Sequence, residues 1–192
     1  MCKCEAMNKY PRHVRAWGLA VALLLVQVLM IMPAKADRDD NNVHFYGALV
    51  AEPCVIVPGD EDIRLDFGTV IDKYLYLNTR TLGLPFEIRL AECDLTLGNM
   101  VKVTFIGTEN TALPGLLAIN DSSKASGIGI GLETQAGKPL PLNSESDKYL
   151  LQKGNNTIAL KGYVQGEPKA LANRAIGYGS FSAVATFTLE YE

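Results

Sequence analysis

The sequence predicts an all-β sandwich that is one strand short. Three observations carry this reading. Short runs alternate apolar and polar residues between Gly- and Pro-containing turns, and no segment sustains an apolar 3.6-residue period. The last run, residues 180–192, reads as a strand with no turn and no returning partner after it. A sandwich in that state leaves backbone N–H and C=O groups unpaired and part of its core uncovered, which is costly. Near the other end, residues 43–49 form a short alternating strand with Val43, Phe45, Gly47 and Leu49 on one side. A spare strand at the front and a missing one at the back point to assembly with another copy or a sibling subunit rather than to catalysis.

Residues 1–36 have the layout of an export signal. Lys3, Lys9, Arg12, His13 and Arg15 precede an apolar run over 17–32, and Ala34-Lys35-Ala36 is a small-x-small site. Cleavage is expected between Ala36 and Asp37, since the apolar run is shorter than the roughly 20 residues a membrane span needs. Residues 37–42 form a charged and polar tail. The strand at 43–49 continues extended through Cys54 to Val57, where Pro58-Gly59-Asp60 turns the chain. Ile63, Leu65 and Phe67 alternate with Arg64 and Asp66 until Gly68. Phe86, Ile88 and Leu90 alternate with Glu87, Arg89 and Ala91. Further strands are expected over 100–106, 127–132, 156–165 and 181–191, with one turn of helix at 170–174. The expected organisation is a signal over 1–36, an N-terminal extension over 37–51 and one β domain over 52–192.

Charge and cysteine content narrow the function. Residues 1–36 carry five Lys/Arg against Glu5, so the remainder holds 13 basic and 20 acidic residues, a net charge of −7 without a basic stripe. Phosphate backbones require clustered Lys and Arg, which excludes the usual footprint of a nucleic-acid partner. Cys2 and Cys4 fall in the signal. Cys54 and Cys93 remain, and two thiols in an oxidising compartment read as one disulfide. A zinc site would need more ligands than His44 can add.

The remaining motifs read as background. Gly127-Ile128-Gly129-Ile130-Gly131 lacks the following helix that a phosphate-cradling loop requires. His44 stands on a strand face without an acid or nucleophile beside it, Asp60-Glu61-Asp62 lies in a turn without the spacing of a calcium loop, and Asn120 and Asn155 head chance glycosylation sequons. No convergent acid/base set points to an enzyme, and no metal, cofactor or small-molecule substrate is expected.

Taken together, the signal, the Phe45-x-Gly47 pair before Cys54, the run Phe86-x-Ile88-x-Leu90-x-x-Cys93-Asp94 and the final Phe187-x-Leu189-x-Tyr191 resemble the chaperone–usher pilus subunits of Gram-negative bacteria, of the type 1 and P pilus kind. The resemblance implies an incomplete immunoglobulin-like sandwich lacking its C-terminal strand. It implies a periplasmic chaperone, an outer-membrane usher and neighbouring subunits as partners, and a cell-surface fimbria reached through the periplasm, where it contributes to adhesion. It carries the donor strand onto Asn41, Val43, Phe45, Gly47 and Leu49, the disulfide onto Cys54 and Cys93, and the chaperone-contact and acceptor strand onto Phe187, Leu189, Tyr191 and Glu192. Asn41 departs from the apolar or small residue usual there. Two other readings stay open: a self-contained secreted binding module of the same fold, and a pilus-terminating subunit whose groove is closed.

Overall fold

The computed structural model of the protein describes residues 43–192. The expected signal, its cleavage site at Ala36 and Asp37, and Asn41 lie outside the described residues. Residues 43–48 and Leu49–Glu192 fall in separate units, and the fold below is that of the second.

Nine strands and two short helices make up this unit. In chain order they are β1 (Val55–Ile56), α1 (Asp72–Asn78), β2 (Leu84–Cys93), β3 (Met100–Ile106), β4 (Glu109–Asn110), β5 (Leu113–Ala118), β6 (Ile128–Thr134), β7 (Tyr149–Leu150), β8 (Gly154–Gly166), α2 (Pro168–Ala172) and β9 (Thr186–Tyr191). One sheet has the order β1-β2-β8-β6-β5-β4 and the other β7-β3-β9. All pairings are antiparallel. The alternation in the sequence fixes the packing. Ile88 and Leu90 of β2, Val101 and Val103 of β3, and Ile158, Leu160 and Val164 of β8 are fully buried between the sheets, and their polar neighbours face out.

A bulge in β2 explains the disulfide. The β2–β8 register shifts between Leu90 and Cys93, and Glu92 takes φ 55°. That one-residue slip changes the phase of the alternation, so Cys93 rather than Glu92 turns inward. Cys93 is bonded to Cys54, with the Cα atoms 4.1 Å apart.

Several elements differ from the sequence reading. The alternating run at 63–67, expected as a strand, belongs to no ladder, while residues 43–49, expected to act as a strand only in a neighbouring subunit's groove, form none within this chain. In both, the apolar alternation is present and the hydrogen-bonding partner is not. The final strand is laddered only over Thr186–Tyr191 rather than from 181. The sequence carries no helical period over α1, because seven residues give only two turns, Tyr74, Leu75, Tyr76 and Leu77 form a contiguous apolar block, and only Leu75 is buried. It is tied down from outside, where the Ile176 N–H donates to the Tyr76 hydroxyl at 3.2 Å. The expected turn at 170–174 starts earlier, with Pro168 in the first turn, where its missing N–H costs nothing. β5 was hidden by Pro114 and by Gly115, at φ +81°.

Candidate functional site: a free sheet edge

The strand expected to act as acceptor is β9, which pairs with β3 and, among the described residues, with no strand on its other side. The register settles which groups are left over. Glu192 N–H donates to the Met100 carbonyl at 3.0 Å, and Met100 N–H donates to the Glu192 carbonyl at 3.1 Å. Positions 100 and 192 therefore form a hydrogen-bonded pair, and by alternation so do Lys102/Glu190, Thr104/Thr188 and Ile106/Thr186. The N–H and C=O groups of Phe187, Leu189 and Tyr191 point away from β3. The run before β9 continues the pattern. Ser180 and Ser182 carbonyls accept from Lys124, Ala125 and Asn120, while no such bond reaches Phe181, Ala183 or Ala185.

The same residues that leave their backbone bare also line the interior. From 181 to 191 every odd position is half-buried and packed against the core, and every even position is exposed. Opposite lies the unladdered run 63–70, whose Ile63, Phe67 and Val70 also pack against the core at half burial. Leu65 and Phe67 lie over Gly162 of β8, where a Cβ would fall 2.5 Å from Leu65 Cδ2. The Phe67 and Phe181 rings meet with centroids 6.2 Å apart. Deeper in, Phe105 touches Phe86 at 6.3 Å and Phe187 at 6.4 Å, an aromatic series from β2 through β3 to β9. Two apolar runs, each half covered and, among the described residues, each without a ladder partner on its facing side, flank an apolar seam, called here the cleft, with the chemistry of a strand-addition site.

Glu192 anchors the end of β9. Its carboxylate meets Lys102 at 2.5 Å and also pairs with Lys148, while Lys102 reaches Glu145 at 3.0 Å. Hydrogen bonds from Lys102, then from Lys148, pull its carboxyl down to about 2, and the same pair with Glu145 raises Lys102. Burial pushes the Tyr191 phenol up. Nothing in the sequence marks these two lysines from other surface cations.

The expected donor residues stand in the open. Phe45 is 92 % exposed, Val43 and Leu49 are exposed, and a Cβ on Gly47 would meet nothing within 4 Å. His44 is exposed as well. Asp60 lies in the expected turn and is buried there. It accepts from Arg89 Nε at 2.8 Å and from the Arg89 N–H at 3.1 Å, and this bonding lowers its pKa. The glycine run 127–131 is explained by packing. A Cβ on Gly131 would lie 2.1 Å from Tyr163 Cζ, and one on Gly129 3.1 Å from Leu113 Cδ1. Among the described residues no group of three or more His, Cys, Asp or Glu side chains is placed to hold a metal.

An incomplete immunoglobulin-like sandwich with one bare, apolar-lined strand edge is the architecture of a pilin. Residues 43–192 match the family model described as "Fimbrial protein". The chain is 33 % identical over 171 residues to the uncharacterized fimbrial-like protein YfcP of Escherichia coli K12, covering 88 % of this chain and 93 % of that protein. It is 32 % identical over 157 residues to the fimbria A protein of Serratia marcescens, covering 82 % and 87 %. Among solved structures it is similar to the P pilus rod subunit PapA, with TM-score 0.63, 27 % identity and coverage of 73 % of this chain and 100 % of that one. A chaperone–usher pilus rod matches with TM-score 0.64 and 28 % identity over 81 % and 97 %. The chain belongs to the fimbrial protein family, and it is a structural pilus subunit rather than an enzyme.

Proposed function

We propose that this subunit polymerises by donor-strand exchange: residues 41–49 of one copy, or of a sibling subunit, add to the free edge of β9 in the next. The observation that carries the reading is the double role of Phe187, Leu189 and Tyr191, whose side chains line the cleft and whose amides face outward without a partner. An added strand bonds those amides and covers that row in one step, while alternate side chains set the register. Burying Val43, Phe45 and Leu49 contributes about 4.5–9 kcal/mol at ~1.5–3 each, and the ladder bonds add to it. Departure then requires unzipping the whole strand, which makes the joint kinetically durable.

A bare edge beside apolar surface invites aggregation, which fits the route that membership of the family implies: a periplasmic chaperone covers the cleft during transit and an outer-membrane usher exchanges it for the next subunit. The assembled fimbria stands on the cell surface and contributes to adhesion. Gly47 supports the assignment of the donor, because a residue without a side chain suits the closest approach to an acceptor core. Gly47→Leu is expected to block incorporation behind a preceding subunit and to leave chaperone binding intact, since the chaperone is proposed to cover β9 rather than the extension. His44→Ala, on the other face, is expected to assemble normally. Electron microscopy of the fimbriae with a chaperone pull-down checks both halves, and normal assembly of Gly47→Leu would refute the donor assignment.

A further inference from the structure

A cavity lies on the opposite face of the six-stranded sheet. It is wide-mouthed, about 610 Å³ in volume, and opens between the end of α1 and the β6–β8 pair, within the size range of small-molecule sites. Its lining residues Glu133 and Lys161 alternate with core-packed Leu132 and Leu160, so the cavity faces away from the core and from the row Phe187, Leu189 and Tyr191. Glu133 is only 3 % exposed. Its Oε2 accepts from Arg80 Nη1 at 2.8 Å, while Oε1 receives no hydrogen bond from the described residues. No side-chain atom is both buried and unpartnered among them, so Oε1 keeps some exposure, on a residue that lines the cavity. Gly83 keeps it uncovered, because a Cβ there would lie 2.6 Å from Oε1.

The donors beside that oxygen are fixed in place. The Arg80 guanidinium is held by Glu133 and by the Tyr163 ring, 4.2 Å from its centroid, and that ring is lodged against Gly131. Arg80 keeps 40 % of its side chain exposed, leaving N–H groups for a ligand. Lys161 Nζ spends one proton on the Gln135 carbonyl at 2.8 Å and has two more. Tyr74 and Leu82 supply apolar walls, and Asn78 a further polar group. A preset acceptor next to preset donors matches vicinal hydroxyls, each of which donates and accepts at once. Two cations against one carboxylate leave an excess positive charge, which matches a ligand carboxylate.

We propose that this cavity is a saccharide site for an acidic sugar of the uronic-acid type. The sugar hydroxyls donate to Glu133 Oε1, and its carboxylate is held by Lys161 and Arg80. Each subunit carries one such site, so a fibre presents a row of them, and weak single contacts combine into avidity on a polyanionic glycan.

Saturation-transfer NMR on intact fimbriae tests this, with glucuronate as probe and glucose as the neutral control. Glucuronate is expected to give a saturable response and glucose a much weaker one. Lys161→Glu is expected to weaken glucuronate binding by about tenfold or more, and Gly83→Ala, which covers Oε1, to weaken both sugars. Far-ultraviolet circular dichroism checks that each variant is folded, and Lys161→Gln serves as the milder substitute if Lys161→Glu is not. No saturable response to glucuronate, an equal response to glucose, or unchanged binding by a folded Lys161 variant would each overturn the proposal.

Discussion

Glu192 shows how one residue ties β9 to its neighbours. Two lysines pull its carboxyl from an ordinary 4.5 to about 2. A depressed carboxyl contributes stability that is fully present above its unfolded value and is lost as the pH falls through its folded one. Glu192→Gln is therefore expected to lower the urea midpoint near neutral pH and to make the fall between pH ~4.5 and ~2 shallower than in the native chain. Equal acid limbs in the two proteins would contradict the assignment. Gly131 is the second residue with a sharp expectation. A methyl group there would lie 2.1 Å from Tyr163 Cζ, so Gly131→Ala is expected to cost about 1–3 kcal/mol by overpacking, read from the denaturant midpoint. Neither feature was legible in the sequence. Gly131 belongs to a run that looks like a nucleotide loop until the ring that needs its flat backbone is placed, and Lys102 and Lys148 meet Glu192 only through the β7-β3-β9 pairing.

At the scale of the element, what the sequence made plain was alternation, and what it could not supply was pairing. Phe86, Ile88 and Leu90 were readable as one face of a strand because a half-buried strand requires that period. Residues 63–67 had the same period and still form no ladder, since alternation reports a buried face and not a bonded edge. The bulge at Glu92 was invisible too, although it brings Cys93 round to Cys54. Losing that bond in Cys54→Ser is expected to cost about 4 kcal/mol in the chain-entropy account of a loop this long, read as a lower melting temperature of the isolated subunit. The Phe67–Phe181 contact draws the two runs together at one end of the cleft. Phe181→Ala is expected to speed capture of a synthetic strand of residues 41–50 and to weaken the final complex, a combination visible in stopped-flow fluorescence. A slower capture would mean that the contact belongs to the binding surface alone.

For the whole molecule the central claim is that β9 is an edge in the lone subunit and an inner strand in the fibre. The sequence carried this far, because an apolar alternating run at the front and another at the back are complementary by pattern. The structure adds which atoms take part. The amides of Thr186, Thr188 and Glu190 face β3, and those of Phe187, Leu189 and Tyr191 face outward. Amide hydrogen exchange at these six positions, measured in the isolated subunit and in assembled fimbriae, tests the claim most directly. The first three are expected to be protected in both states. Phe187, Leu189 and Tyr191 are expected to exchange quickly in the isolated subunit and to slow by about a thousandfold or more on assembly, equivalent to ~4 kcal/mol of local stabilisation. Fast exchange of those three amides in intact fimbriae would contradict strand addition at this edge.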